Sequence, residues 1–458
     1  MSSGTKIANY LVSGSVWSIG GQLVSVVGGI LQMSLLSRLL TASEMGAYLL
    51  VYSIILLAGI VGMYGIPETM MREVARLLKG EGTLEGASKS LVRRTYFLVI
   101  LITIALSILF AGWFGEILFY RIFSIERSGS LLLYFGVWLA FHCLHYTTIF
   151  VYRGQHDVVK ATLYGVPIRT FLSVVVLAVL YASGRSVSLE EVILVNAFVT
   201  GLSLVLSLIP LRDLWINRST SISEVISFKE LLTQSTPLCL NASLQEVYLR
   251  SGMWALGYFV VKDEVALYGA ALQLVVLLVI PIRIFNGVLP PVIANYYFNK
   301  KDKIGLERIV RSTSTVSAGV TVFSVVFMYF FGEQLLSLIY GDYYRGAHNI
   351  LMVLLIGHSS TVLLGPTRQI LKMTRNQGTL FKINGVFGLI TVLVTAACAY
   401  ISGPIAVAIG ASAVMVVANL SLAKTTSNIT GIWSSTYIKP KDLKVMTGTI
   451  TKLASRRK

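Results

Sequence analysis

The sequence contains twelve predominantly apolar stretches, each about long enough to cross a lipid bilayer as an α-helix. Hydrophobic residues make up 55% of the 458 residues and charged residues only 13%, which is more apolar surface than a soluble protein of this length can bury. We therefore predict an all-α, multi-pass membrane protein with twelve transmembrane helices. The predicted spans lie near residues 13–37, 46–66, 95–115, 129–151, 162–182, 190–211, 237–261, 266–292, 312–331, 347–368, 379–400 and 404–423.

Lysine and arginine are distributed unequally between the two sets of connections that join these spans. If both termini and the even-numbered connections share one side, that side carries 28 of the 38 Lys and Arg residues, and the other side carries 6. Cytoplasmic loops are enriched in Lys and Arg, so we predict that both termini lie in the cytoplasm. This orientation also accounts for the formal net charge of +17, and no nucleic-acid partner is expected.

Two segments 220 residues apart resemble each other and suggest an internal repeat. At this offset Glu44 aligns with Glu264 and Tyr48 aligns with Tyr268, and apolar runs follow both pairs. The second helix of each half is thus predicted to begin with an acidic residue, which suits the amino end of a helix dipole. Each of these helices is also predicted to end near a proline, at Pro67 in the first half and Pro290 in the second.

The repeat divides the chain into two halves of six spans each. Repeats of six spans are parallel and are related by an axis along the membrane normal, with a substrate path between them. We predict an amino-terminal six-helix bundle over residues 1–212, a cytoplasmic linker over 213–236, a carboxy-terminal six-helix bundle over 237–423 and a basic cytoplasmic tail over 424–458.

Two arginines lie inside the seventh and eighth predicted spans. Arg250 lies near the middle of the seventh span and Arg283 lies within the eighth. An arginine at such a depth costs ~2.5–3.5 kcal/mol on insertion scales, so both are expected to face a solvated cavity or a partner. Glu246 precedes Arg250 by four residues and therefore shares its helix face, so a structural ion pair is the alternative interpretation.

The motifs of common enzymes and ATP-driven pumps are missing from the sequence. It contains no GxxxxGK[ST], HExxH or GxSxG pattern and no paired-cysteine motif. Cys143, Cys239 and Cys398 fall in apolar spans and are expected to be small buried side chains. His142 and His145 are one helical turn apart and could form a proton relay or hydrogen-bond a neighbouring helix. We expect a protein that is not an enzyme, with no catalytic residues, metal or cofactor.

Four short motifs occur in a fixed order along the spans. They are the run Ser37-Arg38-Leu39-Leu40-Thr41-Ala42-Ser43-Glu44-Met45-Gly46-Ala47-Tyr48, then Tyr152-Arg153-Gly154-Gln155, Ser235-Thr236-Pro237 and Tyr268-Gly269-Ala270-Ala271. In this order and spacing they resemble the signatures of polysaccharide (O-antigen-type) flippases of the MATE/MOP superfamily. The resemblance covers about residues 10–423.

The resemblance implies two six-helix bundles and the export of a lipid-diphosphate-linked oligosaccharide across the cytoplasmic membrane. Transport would proceed by alternating access, in the biosynthesis of a cell-surface polysaccharide. Arg250, Arg283 and Arg38 would hold the diphosphate through charge-assisted, bidentate hydrogen bonds, with Glu246 in the same cavity. Membrane lipids, and glycan polymerase or glycosyltransferase machinery, are the other candidate partners. The family often carries an aspartate in the seventh span, where this chain has Arg250 or Ser251.

Two other functions remain open at the level of the sequence. A cation-coupled multidrug exporter of the MATE type would have the same fold but would need intramembrane carboxylates. Glu246 is the only clear one, against four arginines within spans, which are Arg169, Arg250, Arg283 and Arg368. A membrane glycan polymerase or ligase would be expected to have a large outward loop, whereas the predicted outward connections are all under about 20 residues.

The predicted orientation can be tested with reporter fusions. A reporter fused after Lys458 should be active only if it functions in the cytoplasm, because the basic connections and both termini are predicted there. The same reporter inserted after Asp263, in a predicted outward connection, is the control and should show the opposite activity. A reporter at Lys458 that works only outside the cytoplasm would contradict the prediction.

Overall fold

The helices of this protein follow its apolar runs. The computed structural model describes residues 3–77, 86–213 and 226–436, and within them only the backbone at 3–19, 86–87, 281–288, 291 and 299. All regular secondary structure in these ranges is helical. We number the longer helices α1 (Ser3–Leu39), α2 (Ala42–Met63), α3 (Ile66–Leu77), α4 (Gly86–Ala111), α5 (Leu131–Gly154), α6 (Val158–Leu163), α7 (Val166–Ala182), α8 (Leu189–Leu208), α9 (Phe228–Phe259), α10 (Lys262–Ala294), α11 (Lys303–Tyr340), α12 (His348–Leu363), α13 (Thr367–Met373) and α14 (Gln377–Thr430).

Short helical segments of other types connect some of these helices. A three-residue α-helical turn and a π-helix follow α4, and a second π-helix follows α10. Two 3-10 helices follow α8 and α11. The α-helical turn is Trp113–Gly115, the π-helices are Glu116–Ile122 and Asn295–Asn299, and the 3-10 helices are Ile209–Leu211 and Asp342–Ala347.

The twelve predicted spans all fall on long helices. Ten helices of the described ranges are long and apolar enough to cross a membrane, which confirms a multi-pass membrane protein. Helix α9 is not among them, because residues such as Gln245, Glu246 and Arg250 make it more polar than the others. Helix α14 counts once although it holds the last two predicted spans. The number twelve and the cytoplasmic location of both termini stay predictions.

A local backbone break separates the two halves of α14. Ser402 and Gly403 depart from helical geometry, and Gly403 has a φ of 71°, a conformation that residues with a Cβ rarely adopt. Pro404 follows directly and has no N–H to continue the helical hydrogen bonds. The predicted join between the last two spans at Ser402–Pro404 is thus a sharp break that divides Gln377–Thr430 into two helical segments.

The helices group into two compact units. The first comprises Met1–Gly269 with Leu338–Tyr343, and the second comprises Ala270–Ser337 with Tyr344–Lys458. The predicted bundle boundaries stay predictions, and parts of the predicted linker and tail, residues 214–225 and 437–458, lie outside the described residues.

In the first unit α5 is the central helix. It packs against α2, α3, α4, α6 and α8, and its Phe135, Trp138 and Tyr152 are among the largest fully buried side chains. The outer helices α4 and α7 leave large apolar side chains exposed, including Leu101 and Phe171. Such exposed apolar surface is what the hydrocarbon of a bilayer would cover.

Helix α9 also belongs to the first unit, where it contacts α2 and α3. The hydroxyl groups of Tyr64 and Thr236 lie 3.1 Å apart, and those of Thr69 and Ser235 lie 2.9 Å apart. These hydrogen bonds fix the amino-terminal half of α9 beside the junction of α2 and α3.

In the second unit α14 packs against α12 and α13 through small and polar residues. Nδ2 of Asn419 donates hydrogen bonds to Oγ of Ser360 at 2.8 Å and to Oγ1 of Thr361 at 2.9 Å. A Cβ on Gly357 would lie 2.8 Å from Cα of Ser412, so the two helices approach closely there. Small residues and interhelical hydrogen bonds are typical of packing between membrane helices.

The starts of α2 and α10 match as the repeat predicts. Thr41 and Glu44 form a reciprocal capping box at the start of α2, and α10 carries Asp263 and Glu264 in its first turn. The aligned tyrosines are both buried, with Tyr48 0% and Tyr268 3% exposed. The two halves therefore share the same construction where their second long helix begins.

Helices α2 and α10 each end within four residues of the predicted proline, but neither proline terminates its helix. Helix α2 ends at Met63, and Pro67 lies in the first turn of α3, where its missing N–H would have no partner in any case. Helix α10 continues through Pro290 to Ala294. Proline is tolerated inside membrane helices, so its presence does not by itself mark the end of a span.

Two glycines permit a close approach between α2 and the start of α10. A Cβ on Gly46 would overlap the backbone carbonyl oxygen of Lys262, and a Cβ on Gly269 would overlap the side chain of Leu49. The obstacle at Gly46 is backbone, which cannot move aside as a flexible side chain can.

We expect Gly46→Ala to destabilise the protein by about 1–3 kcal/mol, because the added methyl forces two helix backbones apart. Gly29→Ala is the matched control: Gly29 also lies within a helix, but no atom lies within 4 Å of its would-be Cβ. Thermal unfolding of the two purified variants in the same detergent measures the difference. Equal melting temperatures would show that the approach of α2 to α10 does not need glycine.

Candidate functional site

A single ion pair marks the polar face of α9. Nε of Arg250 donates a hydrogen bond to Oε1 of Glu246 at 2.8 Å. The two residues are four apart in sequence, so one helical turn brings their side chains together. The side chains are 20% and 16% exposed, respectively, so the pair is neither fully buried nor fully solvated. The ion pair that the sequence offered as an alternative is therefore present.

Within the described part of the chain, the Arg250 guanidinium forms a hydrogen bond only through Nε. Among the described residues, its Nη1 and Nη2 atoms have no hydrogen-bond partner. Tyr268 at the start of α10 lies within electrostatic range of the guanidinium. An arginine held in this way keeps two parallel N–H donors, the fork that matches a carboxylate or phosphate.

Helix α9 is held against α2 next to this pair. Nε1 of Trp254 donates a hydrogen bond to Oγ of Ser53 at 2.7 Å. Gly257, one turn further along, lies against the side chains of Leu50 and Phe123, where a Cβ would lie 2.5–3.1 Å from them. These contacts fix the rotation of α9, and with it the direction of the face that carries Arg250.

The other predicted site residues are not joined to this pair by any contact in the described part of the chain. Arg38 lies in the last turn of α1, is exposed, and its Nη2 donates a hydrogen bond to the backbone oxygen of Leu338 at 2.9 Å. Arg283 lies within α10, and its side chain is outside the described residues. The structure thus brings Glu246 and Arg250 together, and the shared site with Arg38 and Arg283 stays a prediction.

The two histidines of α5 lie in the core of the first unit. A ring nitrogen of His145, Nε2, lies 2.8 Å from the backbone oxygen of Tyr164, so His145 hydrogen-bonds the neighbouring segment. This is the structural interpretation given above. His142 is buried against Gly59, where a Cβ would lie 2.8 Å from the imidazole ring.

Sequence reasoning counted Arg169 among the arginines within spans but gave it no role. The structure places it on α7, hydrogen-bonded to the side chain of Tyr52 and within electrostatic range of Tyr48 and Tyr146. It lines a cavity of about 30 Å³ inside the first unit. The sequence could not reveal this cluster, because its members come from helices far apart along the chain.

One protein family matches the amino-terminal part of the chain. The family described as "Polysaccharide biosynthesis protein" matches the chain over residues 11–297, well over half of its length. No curated protein matches the chain significantly.

Several solved structures are similar to this one over nearly the whole chain. Lipid II flippase MurJ in an inward closed conformation has a TM-score of 0.71 at 16% identity, covering 96% of this chain and 92% of that chain. An inward-facing multidrug resistance MATE family transporter has a TM-score of 0.68 at 16% identity, covering 88% and 95%. A MOP superfamily transporter from Pyrococcus furiosus, described as having a binding pocket of reverse polarity, has a TM-score of 0.65 at 18% identity, covering 93% and 96%. At these identities the similarity shows the fold.

Proposed function

The chain belongs to the polysaccharide biosynthesis protein family and has the fold of MOP-superfamily transporters and flippases, and we propose that it flips a lipid-diphosphate-linked oligosaccharide across the cytoplasmic membrane. Transport proceeds by alternating access between two helix bundles, in the biosynthesis of a cell-surface polysaccharide. The substrate's charged diphosphate and its sugars cannot cross hydrocarbon unaided, so the protein must offer them a polar route.

The main support for this proposal is that the Arg250 guanidinium has hydrogen-bond donors available for a ligand. Its side chain is held by Glu246 through Nε, is 20% exposed, and keeps both Nη atoms unbonded within the described residues. A guanidinium with both Nη groups available can bind two oxygens of one phosphate through parallel, charge-assisted hydrogen bonds. Glu246 then acts as a positioning residue that fixes the orientation of this fork.

The ion pair has no net charge, so a diphosphate requires additional positive charge. We propose that Arg283 supplies it, because Glu246 already neutralises one arginine and Arg283 is the arginine predicted within the adjacent span. Arg38 is a weaker candidate, because one of its Nη atoms is already bonded to the carbonyl of Leu338.

A cation-coupled drug exporter is less well supported than a flippase. Such an exporter would use Glu246 to bind a cation or a proton. The Oε1 atom of Glu246 accepts a hydrogen bond from Arg250, and a cation would have to compete with this guanidinium. The paired state of the carboxylate therefore favours an anionic substrate.

Membrane lipids, and glycan polymerase or glycosyltransferase machinery, are the proposed partners.

The role of Arg250 can be tested in cells that lack the chromosomal copy. We expect Arg250→Ala to insert at normal levels but to reduce transport at least tenfold, seen as lipid-linked oligosaccharide accumulating on the cytoplasmic face. Arg250→Lys should restore transport only in part, because lysine keeps the charge but loses the planar fork. Arg311→Ala is the matched control, since Arg311 also pairs with a carboxylate four residues earlier, Glu307, at 3.1 Å.

The alternative role for the ion pair, helix packing only, gives a different result. In that case Arg250→Ala would lower the abundance of the protein, because it leaves Glu246 unpaired in a partly buried place. The double variant Glu246→Gln with Arg250→Gln would then restore abundance and transport together. Normal transport by this double variant would overturn the role proposed for Arg250.

A further inference from the structure

A small cavity lies inside the first unit, and neither Arg250 nor Glu246 lines it. It has a volume of about 30 Å³. About 10–15 Å³ of such volume is needed to hold one water, so the cavity has room for about two or three atoms of that size. Helices α1, α2, α5, α7 and α8 line it, and their polar side chains there include Gln32, Tyr52, Trp138, Arg169, Ser173 and Asn196.

The charge in this cavity comes from Arg169. Arginine stays protonated in proteins, so Arg169 brings a full positive charge into the bundle. Among the residues that the structure describes, no carboxylate forms an ion pair with it. Its electrostatic neighbours are the hydroxyl groups of Tyr48, Tyr52 and Tyr146 and the imidazole rings of His142 and His145, and none of these is a carboxylate. A positive charge placed in this way lacks compensation.

Two further donors in the cavity lack a partner. Nε1 of Trp138 and Oγ of Ser173 are buried and make no hydrogen bond in the described part of the chain. Their residues are 1% and 2% exposed, respectively. An indole N–H can only donate, and a buried donor without an acceptor is costly. The missing acceptor must therefore come from something inside the cavity.

The amides in the cavity wall are already engaged. Nε2 of Gln32 donates to Oδ1 of Asn196 at 3.4 Å, and Nδ2 of Asn196 donates to the backbone oxygen of Val192 at 2.9 Å. The side chain of Asn196 also hydrogen-bonds Tyr48. The oxygen of Asn196 is thus turned to its neighbours, and it does not supply the acceptor that Trp138 lacks.

From this arrangement we infer that the cavity is a binding site for one small monovalent inorganic anion of the size of chloride, held by Arg169, Trp138 and Ser173. Such an anion supplies the missing negative charge and accepts hydrogen bonds from the indole and the hydroxyl. Water would satisfy the two donors but would leave the charge of Arg169 uncompensated. A phosphate or a lipid headgroup has more atoms than the cavity can hold.

A bound anion would link α5 to α7. Trp138 lies on α5, while Arg169 and Ser173 lie one turn apart on α7, and Tyr52 on α2 stacks on Trp138 with ring centroids 6.1 Å apart. Occupancy of the site should therefore stabilise the first unit. The inference does not depend on the proposed substrate, because neither Arg250 nor Glu246 lines the cavity.

The site can be tested with the purified full-length protein in detergent. The melting temperature should rise in a saturable way when sodium gluconate is replaced by sodium chloride at constant ionic strength, because the anion binds the folded state. Trp138→Phe and Ser173→Ala should each raise the chloride concentration at half effect about tenfold, the loss expected for one hydrogen bond to a charged group.

Trp254→Phe is the matched control, since the indole of Trp254 is already bonded to Ser53 at 2.7 Å and does not line the cavity. Its chloride dependence should equal that of the unmodified protein. Equal melting temperatures in chloride and gluconate would overturn the inference, and so would an unchanged midpoint in both cavity variants.

Bromide provides a measurement that needs no variant. In crystals of the unmodified protein grown with sodium bromide, anomalous scattering should place a bromide beside the Arg169 guanidinium and the Trp138 indole. An occupied bromide elsewhere with none in this cavity would overturn the inference even if neither cavity variant folds.

Discussion

The cost of placing a charge among membrane helices governs this structure. A charged side chain at that depth must pair, face water or bind a counter-ion. Arg250 pairs with Glu246 on its own helix and remains partly exposed. Arg169 has no acidic partner among the described residues and lies near tyrosines and histidines instead. The two arginines meet the same constraint in different ways, and each solution suggests an anionic ligand of a different size.

Most of the helical fold could be predicted from hydropathy, because each span must satisfy its own backbone hydrogen bonds within the bilayer. The kink at Ser402–Gly403 was located correctly because Gly and Pro interrupt helices locally. The second helix of each half ends near its predicted proline, but the proline is not the cause, since Pro67 begins a new helix and Pro290 is tolerated inside α10. The close approach at Gly46 depends on a residue more than 200 positions away, which no local pattern reveals.

The candidate site, like the fold, could be predicted from the sequence only in part. The pair of Glu246 and Arg250 follows from a spacing of four residues on a helix, so sequence reasoning could anticipate it. The grouping of Arg169 with Trp138 could not be anticipated, because it depends on how α5 and α7 pack. Whether Arg250 and Arg283 serve one substrate is a question of tertiary arrangement that sequence spacing does not answer.

Transport of an anionic glycolipid by this protein can be measured in reconstituted vesicles. Vesicles containing the purified protein and a labelled isoprenoid-diphosphate oligosaccharide would be exposed to an external glycosidase. We expect the inner half of the labelled lipid to become accessible rapidly, and Arg250→Ala to slow this at least tenfold. Accessibility equal to that in protein-free vesicles would show that the protein does not move this lipid.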